Sequence, residues 1–407
     1  MQNPLVVVGA SLAGLHAVRG ARSSGYEGPI TLVGAEYHLP YDRPPLSKQH
    51  LAEELSPPDN LVDRTELEDK LGVKLLLGRR ATGLDIDHGV LHLSDGEVPY
   101  GRLVIATGSD AKRILGTEDI GAVIGLRTYD DAQRIKQRLF SGAKVVVIGA
   151  GLIGSEVASS AIGRGAHVTL VEAGTAPLAR VVGNEIGNLI SSTQIAAGID
   201  LRLSTFVEGI EKKGDGAIVA LSDGSRLEAD LVVVGIGSTP ATDWLANSGL
   251  LLECDQSISC DSHLRAAPGI YAAGDVATWW NEHDGARVRM ENWTNAMAQG
   301  RHAGRNAVAE SSQATPYQAV SYVWTDLHGM RIQMAGTIND ASVEVVVPGS
   351  TVSGLIAVYR RGNTAVGIVS ADQSPAMARG RRLLSSPNNL DAVVDALHKA
   401  SVVRAVV

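Results

Sequence analysis

A chain of 407 residues with 44% hydrophobic and 20% charged residues is too long for one core and too apolar for a disordered polypeptide. Thirty-six basic against 44 acidic residues leave a net charge of −8 and only 4% are aromatic, so neither the cationic face nor the stacking platform of a nucleic-acid binder is expected. Glycine is in excess at 45 residues without any Gly-X-Y period, which points to tight turns and close ligand approach.

The chain opens on MQNPLVVVGAS, whose apolar core is too short for a signal peptide and lacks a basic flank. No run of 18 apolar residues follows, so a cytoplasmic protein without a membrane partner is expected. A β-branched strand then runs into Gly9-X-Ser11-X-X-Gly14, an Ala-rich helical stretch, and a second strand ITLVGAE (30–36) that carries Glu36. This is a dinucleotide-binding pattern with Ser where its middle Gly should stand. In LSDGEVPYGRLVIATG (93–108), Asp95-Gly96 is expected to form a hairpin turn.

The opening pattern returns complete at VVVIGAGLIG (145–154). Gly149 makes the turn, Gly151 lets the backbone approach a pyrophosphate, and Gly154 lets helix and strand pack, with the helix N-terminus facing the phosphates. Glu172, at the end of strand HVTLVEA (167–173), stands where an acid accepts bonds from a ribose 2′-hydroxyl. It would also repel a 2′-phosphate, and AGTAPLA (173–179) offers no cation before Arg180, so NADH is expected over NADPH. LSDGSRLEADLVVVGIG (221–237) echoes 93–108, with Asp223-Gly224 as its turn.

GIYAAGDVA (269–277) reads as a separate buried strand ending in Asp275, so one nucleotide-binding domain is interrupted by the other. The expected domains are 1–111 with 237–312, an inserted 112–236, and a β-rich 313–407 entered through a linker, AESSQATPYQ (309–318). VEVVVPG, GLIAVYRRG and AVGIVSAD are the strands of that last part, followed by a helix near 389–400. Trp279 and Trp280 are expected to pack in a loop after Asp275. Cys254 and Cys260 are not spaced as a redox dithiol or a cluster ligand set, and the eleven histidines form no metal-binding pair, so no metal is expected. Two nucleotide patterns without a thiol pair favour FAD with a nicotinamide cofactor, because flavin takes two electrons as a hydride and releases them singly.

YDRPPLSK (41–48), ATG (106–108), LRTYDDA (126–132), YAAGD (271–275), ENWTNAMAQG (291–300) and YVWTD (322–326) span almost the whole chain. In these residues it resembles the FAD-dependent NADH:ferredoxin reductases of Rieske dioxygenase and bacterial haem-thiolate monooxygenase systems, a family that includes putidaredoxin reductase and the biphenyl dioxygenase reductase. The resemblance implies an α/β, glutathione-reductase-like fold: two Rossmann-type dinucleotide-binding domains and a carboxyl-terminal β-rich α+β domain. It also implies that a [2Fe–2S] ferredoxin is the partner and, through it, an oxygenase.

Site residues follow from the same resemblance. Gly9, Ser11, Ala13 and Gly14 form the FAD pyrophosphate turn, Glu36 meets the adenosine ribose, and the backbone of Ala81 holds the adenine. Arg43 and Lys48 lie along the flavin, Thr107 and Gly108 belong to the FAD site, and Arg127 is a conformation-setting contact. Asp275 bonds the ribityl chain, while Glu291, Asn292 and Trp293 bring a helix N-terminus to the flavin pyrimidine edge. Gly149, Gly151, Leu152, Ile153, Gly154, Glu172, Arg180 and Gly237 form the NADH set. Lys48 and Glu156 are implied as an ion pair near the reacting edge of the flavin, and Trp324 as the aromatic residue opposite the nicotinamide. The alternatives are an NADH oxidase or peroxidase and an apoptosis-inducing-factor-like flavoprotein of the same fold; the former commonly needs a reactive cysteine, and Pro44-Pro45-Leu46-Ser47 has none.

Overall fold

A computed structural model describes residues 3–52, 57–310, 312–338, 341–347, 352–386 and 388–402. Its contacts divide the chain into two compact units, one formed by Met1–Asp42, Pro57–Asp110 and Ser238–Ala319, the other by Arg43–Ser56, Ala111–Gly237 and Val320–Val407.

The first unit is built on a six-stranded sheet in the order Arg265–Ala267, Ile270–Ala272, Arg102–Ile105, Leu5–Val8, Ile30–Val33, Val73–Leu76. All neighbours are parallel except the first pair. The central strand LVVV is buried at every position, as a parallel strand covered on both faces requires. Helices Leu12–Ser23 and Trp293–Val308 pack together through small residues. A Cβ on Gly300 would fall 2.2 Å from the Ala13 carbonyl oxygen, and one on Gly304 2.0 Å from that of Ala17. Only backbone fits in that seam, so alanine at either glycine would force the helices apart.

Three expectations need correction in this unit. Trp279 and Trp280 lie in a strand, Ala277–Asn281, rather than a loop, and period-two alternation buries Trp279 completely while Trp280 is exposed. The segment expected as a linker is tied down near its end: Tyr317 is buried against Trp279, and its hydroxyl donates to Asn295 Oδ1 at 3.0 Å. Residue 311 of that segment lies outside the described residues. Hairpin strands Val90–Leu93 and Gly96–Pro99 turn through Ser94 and Asp95, so Gly96 opens the second strand instead of completing the turn.

The second unit holds a five-stranded parallel sheet in the order Asp200–Arg202, His167–Val171, Lys144–Ile148, Leu231–Val234, Val123–Gly125. Helix Tyr129–Arg138 begins in a capping box, with Thr128 and Asp131 each bonding the other's backbone amide. A second sheet, antiparallel, runs Tyr322–Leu327, Met330–Gly336, Thr364–Ala371, Ile356–Arg361, Ser342–Val347. The last two residues of the expected strand VEVVVPG lie outside the described residues.

Both faces of this antiparallel sheet are covered. Val182, Ile186 and Ile190 of helix Ala179–Ala196 cluster with Ile332, Met334 and Val369, while Met377, Leu384, Val393 and Leu397 cluster with Ile356, Val358 and Ile368. The β-rich part thus shares a core with a helix of the nucleotide-binding segment.

Candidate cofactor and electron-transfer site

In the first unit, strand Leu5–Val8 ends at Gly9, which has a φ of +114° and lies so close to the next strand that a Cβ would sit 2.0 Å from the Ala106 carbonyl oxygen. A Cβ on Gly14 would sit 1.8 Å from the Gly9 carbonyl oxygen. Ser11 is the extended N-cap of helix Leu12–Ser23 without capping it by its side chain, and no acid stands in the first turn, so the positive helix end favours an anion. Ala13 is buried in that turn.

Further along, Glu36 accepts a 2.7 Å bond from the Tyr41 hydroxyl, and Ala81, half-buried, opens strand Ala81–Asp85. Thr107 Oγ1 donates to the Ala241 carbonyl at 2.9 Å, and the Gly108 carbonyl accepts from the Ala241 amide. Asp275 accepts from Ser109 Oγ at 3.1 Å, and the neighbouring Gly274 amide donates to Gln299 Oε1 at 2.8 Å. Asn292 caps helix Trp293–Val308 by accepting from the Asn295 amide, Trp293 Nε1 donates to Asp42 Oδ1 at 2.7 Å, and Glu291 accepts from Arg289 and Ser238.

The second unit repeats the arrangement. Gly149 has a φ of +95°, with its Cβ direction 2.5 Å from the Gly235 carbonyl oxygen, and a Cβ on Gly154 would meet the Gly149 carbonyl oxygen at 1.9 Å. Gly151, the N-cap of helix Leu152–Gly163, faces open space instead: nothing lies within 4 Å of where its Cβ would be. Turn glycines jammed against backbone and a middle glycine open to solvent are what a dinucleotide pyrophosphate needs, so these residues fit that ligand. Leu152 is half-buried and Ile153 exposed beside it.

Glu172 leaves strand His167–Val171 with its carboxylate fixed by two amides, Ala150 N–H to Oε2 and Gly174 N–H to Oε1, both at 2.7 Å. The acid is therefore locked to the fingerprint turn itself. Arg180 is exposed on helix Ala179–Ala196, and the Gly237 carbonyl accepts from the Lys112 amide at 3.0 Å.

The same unit assembles an ion cluster. Lys48 follows the short helical turn Pro44–Ser47, and its Nζ lies 2.9 Å from Glu156 Oε1. Glu156, on helix Leu152–Gly163 and only 3% exposed, also accepts from Ser47 Oγ at 2.5 Å and from Thr325 Oγ1 at 2.7 Å. About one turn further along that helix, Ser159 accepts from the His328 amide and Ser160 donates to the Ser47 carbonyl. His328 Nε2 meets Gln194 Oε1 at 2.7 Å, and burial lowers the pKa of this imidazole. Asp326 stands 3.8 Å from Lys48 Nζ.

Arg43 Nη1 donates to the Arg127 carbonyl at 2.6 Å, joining those two positions. Trp324 is half-buried on the edge strand Tyr322–Leu327, its ring 6.0 Å from that of Tyr322. Sequence reasoning missed Ser47, Thr325 and Asp326, although all three stand inside the motifs PPLSK and YVWTD. Both cysteines are free thiols; Cys254 is exposed, and burial pushes Cys260 up to about 12. Among the described residues no helix is long and apolar enough to cross a membrane, and no group of three or more His, Cys, Asp or Glu could hold a metal ion.

Two dinucleotide turns on parallel sheets and a third, antiparallel sheet define a two-nucleotide oxidoreductase. The chain belongs to the pyridine nucleotide-disulphide oxidoreductase family, which it matches over residues 3–300, with a reductase C-terminal match over 322–403. It is 34% identical over 88% of its length to the benzene 1,2-dioxygenase system ferredoxin–NAD(+) reductase subunit of Pseudomonas putida, covering 87% of that protein. A rubredoxin–NAD(+) reductase of Pseudomonas putida is 33% identical over 84% of this chain and 89% of its own. Among solved structures, the covalent putidaredoxin reductase–putidaredoxin complex superposes with a TM-score of 0.90 at 28% identity, covering 98% of this chain and 99% of that one.

Proposed function

We propose that this chain is an FAD-containing reductase that takes electrons from NADH and delivers them singly to a [2Fe–2S] ferredoxin serving a Rieske or haem-thiolate oxygenase. The observation that carries this reading is the duplicated turn geometry, Gly9 with Gly14 and Gly149 with Gly154, in a chain whose two thiols are far from a redox pair in character. Electrons from a nicotinamide then have no disulfide to reduce and must leave for an external carrier.

FAD, when bound, supplies the conversion from two-electron to one-electron chemistry. Gly9, Ser11, Ala13, Gly14, Glu36, Arg43, Lys48, Ala81, Thr107, Gly108, Arg127, Asp275, Glu291, Asn292 and Trp293 are the residues that would hold it. Gly149, Gly151, Leu152, Ile153, Gly154, Glu172, Arg180 and Gly237 would bind and orient NADH. Lys48, Glu156 and Trp324 are assigned to the electron-transfer centre. Glu156 fixes the Lys48 ammonium, and its carboxylate also accepts from the Ser47 and Thr325 hydroxyls. Boundaries at 111/112, 236/237 and 312/313 are the proposed functional division. A cytoplasmic location belongs to the same reading, supported by the use of NADH and by two unpaired cysteines.

The test is NADH-driven reduction of a panel of purified [2Fe–2S] ferredoxins and a rubredoxin, followed by absorbance. Rapid reduction of a [2Fe–2S] member supports the reading. Reduction of rubredoxin alone reassigns the partner, and turnover only with oxygen or peroxide would replace the reading with the oxidase alternative.

A further inference from the structure

Lys48 faces a second acid besides Glu156. Asp326 and Arg331 are directly opposite each other across the hairpin Tyr322–Leu327 and Met330–Gly336. Arg331 grips both carboxylate oxygens of Asp326, Nε to Oδ1 at 2.8 Å and Nη2 to Oδ2 at 3.2 Å. The carboxylate so held presents Oδ2 to Lys48 Nζ at 3.8 Å, beyond hydrogen-bond length but within range of strong Coulomb attraction. Four charges alternate along the row Glu156, Lys48, Asp326, Arg331 and sum to zero. The side chains of Lys48 and Glu156 are 13% and 4% exposed, so water screens little of the inner part of the row.

A lysine ammonium on a flexible four-carbon stem, paired with one carboxylate, can swing around that partner without losing it. A second fixed acid within reach of the same ammonium restricts that freedom. The strand that supplies Asp326 also fixes Glu156, through Thr325 Oγ1 and through the Asp326 amide at 3.4 Å. We propose that Asp326, oriented by Arg331, is a positioning residue that fixes the Lys48 ammonium from the carboxyl-terminal sheet. The inference rests on the reading that Lys48 works at the electron-transfer centre.

The experiment uses flavin-loaded protein carrying Asp326→Asn, Lys48→Met, both together, and Arg331→Gln as a second way to release the carboxylate. Brief acetylation with acetic anhydride, scored by mass spectrometry, reads how firmly Lys48 is held, with the remaining lysines as internal references. Asp326→Asn should speed Lys48 acetylation about fivefold and leave the other lysines unchanged, and Arg331→Gln should act in the same direction. In stopped flow, Asp326→Asn should lower the limiting rate of flavin reduction about three- to tenfold, in the lower part of the range for coupled neighbours, without changing the NADH concentration at half-saturation. The double variant should be no slower than Lys48→Met alone. Unchanged Lys48 acetylation, or losses that multiply in the double variant, would overturn the proposal. If Lys48→Met itself leaves flavin reduction intact, the placement of Lys48 at the centre fails, while the acetylation result still judges the positioning.

Discussion

The Glu172 carboxylate does two things at once, and this makes its replacement informative. It accepts from the Ala150 and Gly174 amides at 2.7 Å, so it braces the fingerprint turn, and by its place at the strand end it would accept from the NADH ribose. Hydrogen bonds to a charged group contribute about 1.5–3 kcal/mol each, so losing the ribose contact alone predicts roughly a tenfold to hundredfold weaker use of NADH. For NADPH the sign is opposite. A 2′-phosphate carrying a charge of about −1.5, about 6 Å from the carboxylate, is repelled by about 1–4 kcal/mol at effective dielectric constants of roughly 20 to 80. Wild-type protein should therefore reduce its flavin much faster with low NADH than with equally low NADPH. Glu172→Ala should cost NADH its ribose bond and brace, while relief of repulsion offsets loss of the brace for NADPH. Glu172→Gln keeps one acceptor oxygen for a bracing amide and should narrow the preference with less damage to NADH. Stopped-flow flavin reduction at subsaturating donor measures all six combinations. Equal wild-type rates, or the same fractional loss for both donors in Glu172→Ala, would refute the argument and leave Glu172 a structural brace only.

Purified protein should carry one FAD per chain, and Asp275→Ala should retain it less well, because an ionised acceptor bonded to Ser109 is lost; mass identification of the heat-released cofactor checks the first claim and dialysis against salt the second. Residues 301–407 carry a net +3 against −11 for the rest, and Arg379 and Arg382 are exposed three residues apart on helix Ser374–Leu384, while Arg381 stacks over Tyr322 at 3.8 Å. Replacing Arg379 and Arg382 by Glu should slow reduction of an acidic ferredoxin severalfold at low salt without changing flavin reduction by NADH, and the wild-type rate should fall as salt passes about 0.15 M; salt-independent transfer would place docking elsewhere. Burial, then Arg19 and Arg301, lower the pKa of His16 to about 4. Its unfolded state takes up a proton first as pH falls below about 6.5, so His16 removes stability progressively between there and about 4, and His16→Gln should flatten the acid limb of a urea-unfolding series.

The two nucleotide turns were legible because their requirements are local. Gly154 must lack a side chain on account of the carbonyl five residues earlier, and Gly149 must adopt a positive φ in the same turn, so spacing alone carries the information. The Trp279–Trp280 strand was legible in principle, since two adjacent tryptophans in a strand necessarily point to opposite faces. Its identity as a strand depends on parallel pairing with Ile258–Ser259 and antiparallel pairing with Ala286–Val288, and a single stretch of sequence does not display those partners. Tyr317 was hidden for a similar reason: polar neighbours suggested a connector, and contacts distant in sequence, with Trp279 and His302, give its ring a place in the core.

The ion row shows where local reasoning ends. Thr325 and Glu156 are 169 residues apart, and neither has a neighbour whose spacing announces the other. What brings them together is the covering of the antiparallel sheet by helix Ala179–Ala196, whose Val182, Ile186 and Ile190 share a core with Leu327 and Ile332. Leu327 is thus buried by that helix, while Thr325 and Asp326, just before it in the same strand, meet Glu156. The apolar packing that gives the carboxyl-terminal sheet its cover also sets the height of the polar side chains along its edge strand. The first strand of the third region thereby adds hydrogen bonds to Glu156 and supplies the second counter-charge of Lys48.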